Sequence, residues 1–474
     1  MSAKENLKKN RKSDISLPEL YNKYKELQKM RENLILKSDS YKFSHPWQMP
    51  SGVQENYCYL ESRGGDFDHT VFFGLQYYLK RYLSKPITQE DIDEAAAFLA
   101  AHGLPFEKSG WQHILDNHGG FLPLRINAIP EGMVTPTGTV LMTVVNTDPL
   151  VPWLSGWVET LLLKIWYPTT VATLSKNCRD LIYKNLQLSS DDPDGEINFK
   201  LHCFGYRGVS SEESAGIGNA AHLVNFMGSD TIEGVRFANY YYKHEMAAFS
   251  IPAAEHSTIT SWGLDGEALA YDNMLNKFAK PGSLVAVVSD SYDLEYAVKE
   301  IWGKTLRDKV VESGATVIIR PDSGHPATMV LQTLQNLERG FGAVVNKKGY
   351  KVLNHVRVIQ GDGINMDSIK EILDWAHMAG FSATNVAFGM GGALLQQVNR
   401  DTQKFAYKCS SIAVDGQYRD VFKCPKDAPF KKSKTGRFEN DLRLQTVFLN
   451  GVVVKEYTLD QIRERAKDLT QIRN

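Results

Sequence analysis

Arg320 and Asp322 stand two residues apart across Pro321 in "TVIIRPDSGHP", where a run of apolar and β-branched residues that reads as a buried strand comes to an end. A guanidinium and a carboxylate so placed can form a salt-bridged turn, since Pro, Asp, Ser and Gly are turn residues in any case. They can equally offer a donor and an acceptor to one ligand. Further polar clusters occupy the same kind of position: "CFGYRG" with Phe204, Tyr206 and Arg207, "SDSYD" with Asp290, "QGDG" with Gly361 and Asp362, and "GMGG" with Gly391 and Gly392.

Each cluster suits a particular guest. Glycine allows positive φ and close backbone approach, and the start of a helix offers free N–H groups at its positive end, so "QGDG" and "GMGG" suit phosphate. Asp290, Asp322 and Asp362 are oxygen acceptors fit for sugar hydroxyls or for Mg²⁺, held directly or through water. Downstream, Arg400, Lys408, Lys423, Lys431, Lys432 and Arg437 supply cations for a second anionic group, although the lysine-rich loop taken alone reads as a solvated charge run. An aromatic face with a guanidinium, as in Phe204 and Arg207, suits a planar heteroaromatic ring. His256, in "PAAEHSTI", is by type alone more often structural than catalytic.

"GIGNAA" has the look of a dinucleotide fingerprint. However, "SSEE" before it reads as a capping box from Ser210 to Glu213, which puts Gly216 and Gly218 inside a helix and argues against a Rossmann site. No GxSxG, HExxH, Walker or kinase motif set is present.

These clusters are placed by a repeated strand, polar turn and helix that begins at about residue 195. "LVAVV", "TVIIR", "VRVIQ" and "NVAFGM" are apolar nearly throughout, as strands of a covered parallel sheet are. The series predicts an α/β fold with a βα-barrel-like domain over 191–400, a doubly wound open sheet being the alternative. In a barrel the strand ends share one face, so the clusters converge there. Before this series, "TQEDIDEAAAFLAAHG" reads as a helix and "LPLRINA" and "TVLMTVVNT" as antiparallel strands joined through the turns of "IPEGMVTPTG". An α+β domain is expected over 33–190, completed by 401–474, with an N-terminal arm and helix over 1–32.

Composition bounds the rest. A chain of 474 residues suggests about two or three domains. Its 54 Lys plus Arg against 55 Asp plus Glu give a net charge of -1, which makes no electrostatic case for nucleic acid or a membrane surface. Five scattered cysteines without CxxC spacing indicate reduced thiols and a cytoplasmic setting. The acid-bearing N-terminus is not a signal peptide. The apolar stretch from Val151 is broken by Glu159, Lys164 and Pro168, so a buried helix is expected rather than a membrane span.

Together with "SDSYKFSH" near the N-terminus, the clusters resemble the nicotinamide phosphoribosyltransferases, a family of type II phosphoribosyltransferases, from about Asn33 onward. "DSYK", "FGYRGVSS", "AHLVNF", "PAAEHSTITSWG", "VVSDSYD", "IIRPDSG", "VIQGDG" and "AFGMGG" follow in family order. The resemblance implies transfer of the ribosyl 5-phosphate of phosphoribosyl pyrophosphate to the ring nitrogen of nicotinamide, giving nicotinamide mononucleotide and pyrophosphate in NAD salvage. It further implies Mg²⁺, ATP as an optional coupling substrate, and a homodimer with its sites at the subunit interface.

Residue roles come with it. Phe204 and, from the second subunit, Tyr41 would sandwich the pyridine ring, with Arg207 beside it. Asp230 would accept from the amide, and Arg320 would approach amide or ribose. Asp322 falls on the ribose or metal side, with Asp362 a second metal-side acid. Asp362 with Gly361, Gly391 and Gly392 matches a ribose 5-phosphate cradle. Arg63, Arg400, Lys408 and Lys423 match a cationic wall around pyrophosphate, partly from the second subunit. His256 matches a histidine phosphorylated by ATP, and Asp39 and Asp290 match supporting acids.

Cys203 departs from the family in replacing an acidic residue before Phe204, and Ala406 in standing where a hydroxyl is usual. The loop after Arg63 and the stretch after Arg437 are shorter than in animal members, which implies a microbial or phage-like form. A carboxylate at Asp230 would repel that of nicotinate. The competing readings are a nicotinate or quinolinate phosphoribosyltransferase of the same fold, and a catalytically silent nucleotide-binding regulator.

Overall fold

The computed structural model describes residues 32–428 and 431–467. The arm and helix expected over 1–32 therefore lie, but for Glu32, outside the described residues.

An antiparallel sheet gathers strands from both ends of the chain, in the order Gln417–Asp420, Phe405–Val414, Val53–Ser62, Val140–Asn146, Leu124–Ala128, Gln445–Leu449 and Val452–Val453. Val140–Asn146, "VLMTVVN", is buried at every position, its apolar and β-branched run through Val145 by packing and Asn146 through hydrogen bonds to the backbone of Gln54, Asn56 and Asp148. The expected pairing of Leu124–Ala128 with Val140–Asn146 is present. Between them, Val134–Pro136 leaves this sheet and pairs with His69–Val71, so the connection is not the simple pair of tight turns that its Pro and Gly residues predict.

The apolar stretch from Val151 forms short helical pieces followed by the 24-residue helix Trp166–Ser189. Pro168 falls in its first turn, where a missing N–H costs no helical bond. Among the described residues no helix is long and apolar enough to cross a membrane.

The second sheet is parallel, ordered Gly228–Ser229, Leu201–Cys203, Val386–Met390, Val356–Gln360, Thr316–Arg320 and Leu284–Val288. It is curled rather than open. Phe249 bridges to Gly228 at one edge and Ala253 to Ala286 at the other, so one short segment touches both edge strands. Long helices follow three of the strands, at Glu212–His222, Pro326–Phe341 and Met366–Met378. Ile319, Val358 and Phe388 are fully buried beneath them, each side chain contributing about 1.5–3 kcal/mol by leaving water.

One expected cap shifts by a residue. Ser211, not Ser210, caps Glu212–His222, its hydroxyl accepting from the Ser214 N–H at 3.1 Å. Glu213 is drawn instead to the hydroxyls of Tyr77 and Tyr82, each 2.8 Å away, because two phenolic donors outcompete one backbone N–H. Gly216 and Gly218 nevertheless lie inside the helix as expected. A Cβ at Gly216 would meet the Phe237 ring at 2.8 Å, so the glycine serves close helix packing.

Candidate active site

The C-terminal ends of the parallel strands open onto a cleft of about 1040 Å³. Four of the five strand-end clusters line it, bringing Phe204, Arg207, Arg320 and Asp322 together with Gly361, Asp362, Gly391 and Gly392, and Asp230 joins them from the end of Gly228–Ser229.

Phe204 is fixed at the cleft by the sheet beneath it. Its N–H donates to the Met390 carbonyl at 3.0 Å, and its ring lies over Gly389, where a Cβ would stand 1.9 Å from the ring. At Gly361 a Cβ would fall 3.2 Å from Asp322 Oδ1 and 3.3 Å from the same ring. Any side chain at 389 would thus displace the aromatic platform. Asp230 is exposed and accepts from the Ser250 hydroxyl. The Arg207 side chain is 89% exposed and reaches Glu255 at 4.0 Å.

Arg320 Nη2 donates to Asp322 Oδ2 at 3.0 Å, so the turn is salt-bridged, and the same pair walls the cleft beside both glycine loops. Arg320 Nε and Gln360 Oε1 are buried without a hydrogen-bond partner among the described residues. Gln360 Nε2 donates to the Asp362 carbonyl at 3.0 Å and so shapes the loop that follows.

The fifth cluster does not line the cleft; it supports it from behind. Asp290 Oδ2 accepts from the Asp322 N–H at 2.9 Å and the Ser323 hydroxyl at 2.6 Å, while Oδ1 takes His256 Nε2 at 2.9 Å. Burial alone would push the Asp290 pKa up, but the Ser323, His256 and Asp322 hydrogen bonds outweigh it, and the net shift is downward. An ionised carboxylate therefore orients His256, whose other ring nitrogen, Nδ1, lies 3.9 Å from Asp322 Oδ2.

The remaining sequence-predicted residues, Asp39, Tyr41, Arg63, Arg400, Lys408 and Lys423, and the further cations Lys431, Lys432 and Arg437, do not line this cleft. Asp39 and Tyr41 sit at the 3-10 helix Ser40–Trp47, where Asp39 accepts from the Thr160 hydroxyl at 2.6 Å and Tyr41 is 59% exposed. Arg63 Nε donates to Glu61 at 2.9 Å, and its Nη2 is buried without a partner among the described residues. Lys408 shares an electrostatic neighbourhood with Arg63, Lys423 and Arg400. Burial first, then these three cations, depress its pKa, and Glu159 opposes them. Glu159 also pairs with Lys42 at 2.6 Å, and the Lys42 ammonium lies 5.5 Å from the Tyr41 ring centre. Tyr41 and the cationic set thus form a second group on the chain.

Cys203 faces the core with no exposed surface, and burial pushes its thiol pKa up to about 11, so it adds no charge beneath Phe204. Ala406 is buried in Phe405–Val414 opposite Glu61. Ser323 and Gln360 carry no sequence signal of their own beyond lying inside "RPDSG" and "QGDG". Ser250 carries no motif, and only the fold brings it to Asp230.

Residues 199–452 match the family profile of the nicotinate phosphoribosyltransferase (NAPRTase) family, and residues 33–126 match the nicotinamide phosphoribosyltransferase N-terminal domain. A nicotinamide phosphoribosyltransferase of Xanthomonas campestris pv. campestris is 53% identical over 459 residues, spanning 92% of this chain and 98% of the relative. One from Mycoplasma pneumoniae is 32% identical, with 87% of this chain and 96% of the relative covered. In fold, human nicotinic acid phosphoribosyltransferase superposes with a TM-score of 0.57 at 14% identity, over 92% of this chain and 94% of that one.

Proposed function

Since this chain belongs to the nicotinate phosphoribosyltransferase family, we propose that it is a nicotinamide phosphoribosyltransferase, making nicotinamide mononucleotide and pyrophosphate for NAD salvage. The observation that carries this reading is the convergence on one cleft of a seated aromatic ring, an acidic and a cationic side chain, and two glycine-rich loops.

Phe204 offers its face to the pyridine ring, Asp230 accepts from the amide N–H₂, and Arg320 donates toward the amide or ribose. Loops 361–363 and 391–392 bring backbone N–H groups to the ribose 5-phosphate. The ring nitrogen forms a bond to the anomeric carbon as the bond from that carbon to the pyrophosphate oxygen breaks, through an oxocarbenium-like state. A pyridine nitrogen is unprotonated near neutral pH, so no general base is needed. Holding nucleophile and electrophile in line supplies much of the acceleration.

The donor set suits Mg²⁺. Asp322 gives Oδ2 to Arg320 and keeps Oδ1 beside the Gly361 backbone, and Asp362 lies on the same wall. One or two carboxylates are what a largely hydrated Mg²⁺ takes. When bound, the ion would offset the charge of the pyrophosphate.

Tyr41, Arg63, Arg400, Lys408 and Lys423 do not line the cleft of their own chain, which supports reading them as supplied to its second face by another copy. The reading is therefore a homodimer with shared sites. Asp39 lies with Tyr41, as a supporting acid of that shared site. His256, held at Nε2 by Asp290, offers Nδ1 to the γ-phosphoryl group of ATP. Free cysteines at all five positions favour a cytoplasmic setting.

The test supplies nicotinamide, nicotinate and quinolinate separately with phosphoribosyl pyrophosphate and Mg²⁺ and identifies the nucleotide by mass. Nicotinamide mononucleotide is the expected product. Nicotinate or quinolinate as the only substrate, or no product, would overturn the reading.

A further inference from the structure

Away from the cleft, two histidines of one helix and an aspartate of a neighbouring loop turn their ligand atoms to one point. His113 and His118 lie on the helix Lys108–His118, and Asp148 follows the strand Val140–Asn146. His113 Nε2 is 2.7 Å and His118 Nε2 2.6 Å from the same oxygen, Asp148 Oδ2. The three ligand atoms all lie within 4.8 Å of one another. We propose that His113, His118 and Asp148 form a binding site for a zinc-class divalent cation, separate from the Mg²⁺ of the transfer reaction.

The donor chemistry selects the ion. Two imidazoles and one carboxylate suit Zn²⁺, whereas Mg²⁺ and Ca²⁺ prefer oxygen alone. Tetrahedral bonds of about 2.0–2.1 Å place ligand atoms roughly 3.3 Å apart, so the carboxylate and imidazoles need part by less than about 1 Å. Side-chain exposures of 23% and 25% for the histidines and 12% for the aspartate leave a fourth position open to water.

The ligands stand on firm supports. Asp148 Oδ1 accepts from the Leu150 N–H at 2.8 Å, and its backbone carbonyl accepts from Asn146 Nδ2 at 2.8 Å. His118 ends its helix before Gly119, which turns the chain with φ 58°. The C-terminal end of a helix carries partial negative charge and favours a cation there.

Binding requires each imidazole to present the Nε2 lone pair, so the Nε2 protons move to Nδ1 or to solvent. For His113 the Asn117 amide, 3.0 Å from Nδ1, can turn its oxygen inward to accept that proton's hydrogen bond. None of the three ligands lines the catalytic cleft. The ion would clamp the helix to the sheet rather than act on substrate.

The test uses the full chain stripped with chelator and dialysed, titrated with Zn²⁺ by calorimetry and with Co²⁺ by visible absorption, for wild type, H113Q and H118Q. Wild type is expected to bind one Zn²⁺ per chain that each variant loses, its affinity falling by about tenfold or more. Co²⁺ should give the intense bands of a four-coordinate site only in wild type. Zn²⁺ should also raise the unfolding midpoint of wild type and not of the variants. Equal Zn²⁺ stoichiometry and Co²⁺ spectra in all three proteins, or no bound cation in wild type, would overturn the proposal.

Discussion

His256 meets the buried Asp290 carboxylate through Nε2 at 2.9 Å and leaves Nδ1 facing Asp322, 3.9 Å away. A carboxylate that fixes one imidazole nitrogen sets the tautomer and leaves the other as the nucleophile. His256→Ala should therefore abolish stimulation by ATP while transfer without ATP stays within about tenfold of wild type. Rates of mononucleotide formation with and without ATP check this. ATP stimulation that survives in the variant would rule out the phosphoryl-acceptor role.

Gly389 is the seat of Phe204. Gly389→Ala would place a Cβ 1.9 Å from the ring and push it off the strand ends. The KM for nicotinamide should rise by about 10- to 100-fold, with the KM for phosphoribosyl pyrophosphate little changed. Initial rates against each substrate separate the two. An unaltered nicotinamide KM would remove Phe204 as the ring platform.

The proposed homodimer, in which a second copy completes each site, makes a complementation prediction. Phe204→Ala and Lys408→Ala chains, each nearly inactive alone, should regain activity when co-refolded. Random pairing makes about half the dimers mixed, each with one intact site, so recovery should approach about a quarter of wild type. No recovery would place the whole site within a single chain.

His222 is fully buried, with Ser175 Oγ 2.9 Å from Nδ1 and the Leu201 carbonyl 3.2 Å from Nε2. Burial drives its pKa down to about 3, while the unfolded chain titrates near 6.5. Below about pH 6.5 the unfolded state takes a proton that the folded state refuses, so stability is complete above that pH and lost as pH falls toward 3. The slope is at most about 1.4 kcal/mol per pH unit for one proton. Urea midpoints between pH 4 and 7 should fall less steeply with acid in H222Q, and equal slopes would assign the acid sensitivity elsewhere.

The strand-end clusters were legible because turn chemistry is local: Pro321, Gly361 and Gly391 each announce where a strand stops. Register among the strands then brought four clusters to one cleft. Asp290 was legible as an acid but not as one turned to neighbouring loops, since its direction depends on which partners, here Ser323 and His256, stand beside it at the strand ends. Glu213 left its expected cap for Tyr77 and Tyr82, more than 130 residues away in the chain, a competition that no local window contains. Val134–Pro136 likewise went to a strand some 65 residues earlier. That Tyr41 and Lys408 stand apart from Phe204 was legible only through the family resemblance, because residue types and spacing do not say which surfaces face which.

Direct competition between nicotinamide and nicotinate, both present with phosphoribosyl pyrophosphate and Mg²⁺, tests the proposed activity and the role of Asp230 together. The exposed carboxylate should favour nicotinamide by about 100-fold or more in kcat/KM, a difference of about 2.7 kcal/mol, and Asp230→Asn should narrow that ratio. Equal use of the two pyridines, or a preference for nicotinate, by the wild-type chain would contradict it.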